Sequence, residues 1–131
     1  MIGLDTNILV RYLTQDDATQ AKKANTLIES LSSDSPGFIA LVSVVELVWV
    51  LEGCYDSDKK DIVTVLDTLL RTRGLVIEQA DSVWQALRRF ADTNSDFADC
   101  LIERCHHAAG CSHTATFDRK AAKSAGMQLL S

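Results

Sequence analysis

The chain has 131 residues, of which 47% are hydrophobic, and its formal net charge at pH 7 is −5. This length predicts a single domain over residues 1–131, and the apolar content suits a buried core, which excludes a disordered chain. No apolar run approaches the ~20 residues of a membrane span, and the start of the chain does not resemble a signal peptide. We therefore expect a cytoplasmic protein without a membrane partner and with reduced cysteines.

The acidic net charge does not favour nucleic-acid binding by bulk electrostatics, but it does not exclude local contacts to phosphates. Basic side chains occur close in sequence to several acidic positions that are discussed below. The candidates for such contacts are Arg11, Arg104, Arg119 and Lys120.

Short β-like segments alternate with helical patterns, which is typical of βα units and of an α/β fold with a parallel sheet. Strands are predicted near residues 2–4, 38–41, 75–77, 113–117 and 127–130. Helices are predicted near residues 6–13, 17–31, 43–52, 59–71, 81–91, 97–109 and 119–124. The 43–52 helix, which contains Trp49, is apolar all round and is predicted to be buried. The pattern thus gives about five strands and about seven helices.

Four acidic residues fall at predicted strand-to-helix junctions: Asp5, Glu46, Asp99 and Asp118. In an open parallel sheet such positions gather at the carboxyl ends of the strands, where ligands bind. Carboxylates collected there repel one another unless a cation joins them. A hard divalent ion, Mg²⁺ or Mn²⁺, suits an all-oxygen cluster.

Each acid also has a local structural interpretation. Asp5 and Asp118 are good helix N-caps, and Glu46 stands at capping-box spacing after a serine. Asp96 and Asp99 suit the cap and first turn of the next helix. The two interpretations are compatible, because the partial positive charge of a helix N-terminus keeps nearby carboxylates ionised.

Four segments in this order resemble the signature of PIN-domain nucleases, and the match extends over essentially the whole chain. The compact single-domain form is most similar to VapC-type toxins of bacterial toxin–antitoxin modules. The segments are Leu4-Asp5-Thr6-Asn7, Ser43-Val44-Val45-Glu46-Leu47, Asp96-Phe97-Ala98-Asp99 and Thr116-Phe117-Asp118.

The resemblance implies a three-layer α/β/α sandwich with a central, mainly parallel sheet and an Mg²⁺- or Mn²⁺-dependent endoribonuclease activity. Asp5 and Asp99 would be the main metal ligands. Two further acids, Glu46 and Asp118, would complete the catalytic set, with one or two metal ions. Auxiliary residues that orient carboxylates or water would be Thr6, Asn7, Thr116 and, if it faces the site, Asp96.

The resemblance also implies a small antitoxin, whose tail would lie in an apolar groove bordered by the first two helices and the Trp49 helix. A homodimer is expected as well. Apolar helix positions that exceed the needs of a small core would favour self-association, with Val48 and Leu51 or Leu66 and Leu69 as candidates.

Four alternatives remain at this stage, and the last of them, a non-catalytic binding module, is disfavoured by the presence of all four acids. The first is an RNA-processing nuclease of the same fold without an antitoxin. The second, a phospho-receiver signalling domain, is disfavoured because Glu78-Gln79 follows the third predicted strand and no lysine follows Leu129. The third is a zinc site in the 105–113 segment, whose spacing matches none of the usual zinc pairs. Its ligands would be Cys105, His107, Cys111 and His113.

Overall fold

The computed structural model describes residues 1–130. These residues form seven helices and five strands, which belong to two compact units, Met1–Glu78 and Gln79–Ser131. Residue 131 lies outside the described part of the chain. Every helix of the described part is too short or too polar to span a bilayer.

The first unit contains a three-stranded parallel sheet in the order β1-β2-β3. Its strands are β1 (Ile2–Gly3), β2 (Gly37–Ile39) and β3 (Leu75–Ile77). Its helices are α1 (Thr6–Thr14), α2 (Ala18–Glu29), α3 (Leu41–Cys54) and α4 (Lys59–Arg71). Because the strands run parallel and helices follow β1 and β2 directly, α1 and α3 begin at the same edge of this sheet.

The core of the first unit is built from aliphatic side chains of both the sheet and the helices. Leu9 of α1, Ile39 of β2, Leu47 of α3 and Ile62 of α4 are fully buried. Gly37 allows close packing within this unit, since a Cβ atom there would lie 2.8 Å from both Leu31 Cδ1 and Leu4 Cδ1.

The second unit pairs two long helices and adds a short βαβ segment. The helices α5 (Ala80–Asp92) and α6 (Phe97–Ala108) pack together, with Phe90 and Phe97 in an edge-to-face contact. Strand β4 (Ala115–Thr116), helix α7 (Arg119–Ser124) and β5 (Gln128–Leu129) follow, and β4 pairs with β5 in parallel. Gly126 adopts a positive φ of 79° after α7, where a Cβ atom would collide with the Arg89 guanidinium.

The predicted order of helices and strands and the mainly parallel α/β fold are confirmed, although the sheet is short. The five strands of residues 1–130 form one three-stranded and one two-stranded sheet. Strands of two or three residues leave few backbone groups to pair, so the ladders are short.

Two predicted junctions differ from the structure. Helix α3 begins at Leu41, so no capping box starts at Ser43, and Glu46 lies in the second helical turn. Asp99 does not follow a strand, because α6 comes directly after α5 in the chain. The apolar run around Ser43 hides the start of α3, and a helix end is uncertain by one or two residues when it is read without its cap.

The predicted burial on the helices is also wrong in part. Trp49 is 62% exposed although α3 is apolar all round. The positions suggested for self-association are instead core residues with exposures between 1% and 4%: Val48, Leu51, Leu66 and Leu69. Apolar composition alone does not tell which side of such a helix meets solvent.

Candidate active site

Asp5 and Glu46 line one cavity of about 520 Å³ in the first unit. Thr6, Asn7 and Arg11 line the same cavity. The arrangement follows from the parallel sheet, since Asp5 comes just after β1 and Glu46 belongs to the helix that follows β2. The structure therefore brings together two of the four predicted acids and two of the predicted auxiliary residues.

The first turn of α1 holds Asp5 in a defined orientation. Asp5 is the N-cap of α1, and its Oδ1 accepts a hydrogen bond of 2.7 Å from the Thr6 N–H. Thr6 itself is buried, and its Oγ1 has no hydrogen-bond partner among residues 1–130. A buried hydroxyl without a partner is costly, so this oxygen is a candidate contact for a polar group bound in the cavity.

Arg11 is anchored by three side chains at the border of this cavity. Its Nε donates to Gln20 Oε1 at 2.7 Å, and its Nη1 contacts Asp16 Oδ1 at 3.2 Å and Tyr55 Oη at 3.3 Å. The Tyr55 hydroxyl in turn donates to Asp16 Oδ2 at 2.5 Å. Arg11 is one of the predicted phosphate contacts, but no sequence pattern indicates that Tyr55 helps to fix it.

Asp99 lies in the second unit beside two further carboxylates. It is half-buried in the first turn of α6. Burial raises its pKa above the ordinary value, the charges of Asp96 and Asp118 raise the pKa further, and Lys120 opposes them. Lys120 Nζ also lies 3.6 Å from Asp96 Oδ1. Asp99 thus carries an unfavourable charge that a bound cation would relieve.

Asp118 lies in a turn that Thr116 and the first residues of α7 hold by hydrogen bonds. The Asp118 N–H donates to Thr116 Oγ1 at 3.0 Å. The Asp118 Oδ1 accepts hydrogen bonds from the backbone N–H groups of Lys120 and Ala121, which makes Asp118 the N-cap of α7. Thr116 therefore orients this acid through its backbone.

Asp96 is placed as the N-cap residue of α6, but its side chain makes no cap hydrogen bond. Its carboxylate is instead directed by charge, towards Lys120 and near Asp99. The predicted alternative of a simple cap is thus not what the geometry shows.

Arg104 is committed to a different acid. Its Nε and Nη2 bind the two oxygens of Glu103 at 2.7 and 3.0 Å, and Arg89 Nη1 binds Glu103 Oε1 at 2.8 Å. The Arg104 hydrogen bond is the main reason why the pKa of Glu103 is lowered. No sequence pattern pointed to this buried cluster, because Arg89 and Glu103 are 14 residues apart in the chain.

The histidines and cysteines of the 105–113 segment do not form the alternative zinc site. Within residues 1–130 no three His, Cys, Asp or Glu side chains are grouped so that they could hold a metal ion. His106 Nδ1 instead lies 2.9 Å from Thr114 Oγ1, and His113 Nδ1 lies 3.1 Å from Ser112 Oγ.

Comparison with known proteins shows the family of this chain. Residues 2–126 match the PIN domain family. The chain is also 25% identical over 118 residues to a protein named VapC ribonuclease from Aquifex aeolicus (strain VF5), a match that covers 89% of this chain and 87% of that protein. The family match confirms the predicted α/β class and removes the phospho-receiver alternative. This chain belongs to the PIN-domain family.

Proposed function

We propose that this chain is a divalent-metal-dependent endoribonuclease and the toxin component of a type II toxin–antitoxin system. Membership of the PIN-domain family and the similarity to a VapC ribonuclease support the proposal. The observation that carries it is the cavity lined by both Asp5 and Glu46 in a chain whose residues 2–126 match the PIN domain family. The proposal treats residues 1–131 as one PIN-like domain in the cytoplasm.

The donor chemistry fits a hard cation. Asp5 and Glu46 present carboxylate oxygens to one cavity, where Thr6 adds a buried hydroxyl without a partner. Oxygen donors of this kind suit Mg²⁺ or Mn²⁺ rather than a thiophilic metal. The proposal assigns metal binding and catalysis to Asp5, Glu46, Asp99 and Asp118. When bound, the ion would supply positive charge to the scissile phosphate and lower the pKa of water.

The other side chains would position the substrate and the acids. Thr116 orients Asp118 through its backbone N–H, and the Thr6 N–H orients Asp5. Arg11 would bind an RNA phosphate, because its guanidinium is already fixed by neighbouring side chains and needs little further ordering. Asn7 lines the Asp5 cavity, where its amide suits a polar contact.

Cleavage of RNA with and without metal tests the enzymatic part of the proposal. EDTA should abolish cleavage, and Mg²⁺ or Mn²⁺ should restore it. The variant Asp5→Asn should stay folded and lose activity in the presence of either ion. Full activity of the wild-type protein in EDTA would contradict the metal-dependent mechanism.

Growth assays test the toxin part of the proposal. Expression of the wild-type chain should arrest growth, and Asp5→Asn should not. Coexpression of a small gene that directly precedes this one should relieve the arrest. If the wild type and Asp5→Asn arrest growth equally, or if neither does, the toxin assignment is wrong and an RNA-processing nuclease without an antitoxin becomes the better interpretation.

The antitoxin would act at the Asp5 cavity. Residues of α1 and α3 line this cavity, including Val10 and Val50, which give it an apolar side. We propose that a basic side chain of the antitoxin tail, most simply arginine, pairs with Asp5 or Asp99. Antitoxin binding would then compete with Mg²⁺, and excess Mg²⁺ should weaken the complex in a titration.

A homodimer is part of the same proposal. Val42 and Trp49 are 74% and 62% exposed on α3, and exposed apolar side chains of this size often belong to interfaces. Light scattering at tens of micromolar protein should give twice the monomer mass. A monomeric mass would contradict the dimer.

A further inference from the structure

Phe117 is the most exposed of the large hydrophobic side chains in residues 1–130, with 80% of its surface open to solvent. The other phenylalanines behave differently. Phe90 and Phe97 are buried and their ring centroids lie 5.8 Å apart, while Phe38 is half-buried. Because burial of an aromatic ring stabilises a fold, a ring left in solvent beside a proposed catalytic acid suggests a role in binding.

The backbone on both sides of Phe117 is fixed. Before it, the carbonyl of Thr116 accepts a hydrogen bond of 2.8 Å from the Leu130 N–H. After it, the Asp118 N–H donates to Thr116 Oγ1 at 3.0 Å, and Asp118 Oδ1 accepts from the Lys120 N–H at 2.8 Å. These bonds close a tight turn around Phe117. The ring is therefore presented from an ordered backbone, which lowers the entropic cost of binding.

The residues next to Phe117 in the chain are polar or charged. Thr116 and Asp118 flank it in the chain, and Arg119 and Lys120 follow. Docking of an apolar protein surface calls for a contiguous apolar patch. Leu130 is also exposed in this part of the unit, but an exposed aromatic ring with cations next to it in the chain suits single-stranded nucleic acid, where the ring stacks on a base and the cations attract the backbone. Arg119 is exposed, while Lys120 Nζ lies 3.6 Å from Asp96 Oδ1.

We propose that the Phe117 ring stacks on an unpaired nucleobase of the RNA, next to the phosphate that is cleaved. The inference rests on the ribonuclease function proposed above. Phe117 directly precedes Asp118, and consecutive Cα atoms are about 3.8 Å apart, so a base on this ring would lie close to an acid that the proposed function assigns to catalysis. Such a contact selects unpaired RNA and tolerates different bases, since every base has a stacking face.

Steady-state cleavage of a short single-stranded RNA in Mg²⁺ is the first test. Phe117→Ala should raise KM about 5- to 150-fold, which is the range that one base–aromatic stack contributes to binding. Phe117→Trp should keep KM near the wild-type value, and Phe117→Leu should behave like the alanine variant. The side chain is exposed, so all three variants should keep the wild-type melting temperature.

Leu130→Ala is the matched control. Leu130 is 55% exposed, and its N–H bonds the residue before Phe117, so its truncation removes apolar surface from the same part of the second unit. This variant should leave KM unchanged, because leucine offers no π face to a base.

A fluorescent base locates the contact directly. RNA that carries 2-aminopurine at one position after another is mixed with the wild-type protein in EDTA, which stops cleavage. Quenching should be strongest at a single position beside the cleaved bond. It should be lost in Phe117→Ala and restored in Phe117→Trp.

Three results would overturn the stacking role and leave the nuclease function standing. The first is normal KM and unchanged quenching in Phe117→Ala. The second is a Phe117→Leu variant that binds as the wild type does, since apolar area would then suffice. The third is a change of molecular mass in Phe117→Ala at unchanged KM, which would place the ring in a protein interface. Absence of RNA cleavage by the wild type in Mg²⁺ and in Mn²⁺ would overturn both proposals.

Discussion

Asp99 and Glu103 lie one helical turn apart on α6, yet their surroundings are opposite. Glu103 is almost buried and binds Arg104 and Arg89 at 2.7 and 2.8 Å, so its pKa is lowered. Asp99 is half-buried beside Asp96 and Asp118, so its pKa is raised. The same helix thus carries one carboxylate that is paired with arginines, Glu103, and one that lies beside other carboxylates, Asp99.

This difference in charge compensation separates a structural carboxylate, Glu103, from a candidate metal ligand, Asp99. A carboxylate that the fold has already neutralised with arginines has little to offer a metal ion. A carboxylate close to other acids is destabilised in its ionised form, and a bound cation would stabilise that form. This is the property expected of a metal ligand. Four substitutions or conditions test this comparison.

The largest effect is expected on catalysis by Asp99→Asn. Activity should fall by at least about 100-fold, because loss of residues that merely support metal ligands already costs 10- to 100-fold. Cleavage of RNA in saturating Mg²⁺ measures it. The matched change Glu103→Gln, one turn away, should stay active at a temperature where it is folded. Equal losses in both variants would erase the distinction between the two acids.

The second effect concerns stability at Glu103. Glu103→Ala leaves Arg89 and Arg104 partly buried without their carboxylate, so the free energy of unfolding should fall by roughly 3 kcal/mol. Urea unfolding measures this change. Glu29→Ala, at an exposed position that ends α2, is the control and should shift the same quantity by less than about 0.5 kcal/mol. An unchanged free energy of unfolding in Glu103→Ala would mean that the ion pairs of Glu103 do not stabilise the fold.

The pH dependence of the free energy of unfolding tests whether the ionised form of Glu103 stabilises the fold. The folded-state pKa of Glu103 lies below its ordinary value of 4.5. Its contribution is therefore complete above about pH 4.5, and it is lost as the pH falls through the folded-state pKa. The stability difference between wild type and Glu103→Gln should accordingly shrink in acid. A difference that grows as the pH is lowered would have the wrong sign for this ion pair.

The smallest effect is a gain in stability from Asp99→Asn without metal. Removal of one charge from the Asp96–Asp99–Asp118 group relieves repulsion, by less than about 1 kcal/mol because the site is partly solvated. Thermal unfolding in EDTA measures it. In Mg²⁺ the order should reverse, because the ion stabilises the wild type by mass action. A sharp loss of stability in EDTA would favour a helix-capping role for Asp99.

Local features of the sequence determined the order of the elements and the caps. Asp5 and Asp118 cap α1 and α7 as predicted, because a cap depends on a side chain and on N–H groups within three residues of it. Helix α4 has its predicted bounds for a similar reason, with Asp58 as its N-cap and a regular apolar spacing. The ordered acidic segments were also enough to identify the family.

Tertiary structure decided which acids are compensated and which surfaces stay open. Arg89 reaches Glu103 and the Ala125 carbonyl across 14 and 36 positions of the chain, and no periodicity announces such contacts. Tyr55 reaches Asp16 in the same way, and Trp49 faces solvent from a helix that is apolar all round. Short-range propensities fix where a helix begins, but the pairing of distant side chains depends on how whole elements pack.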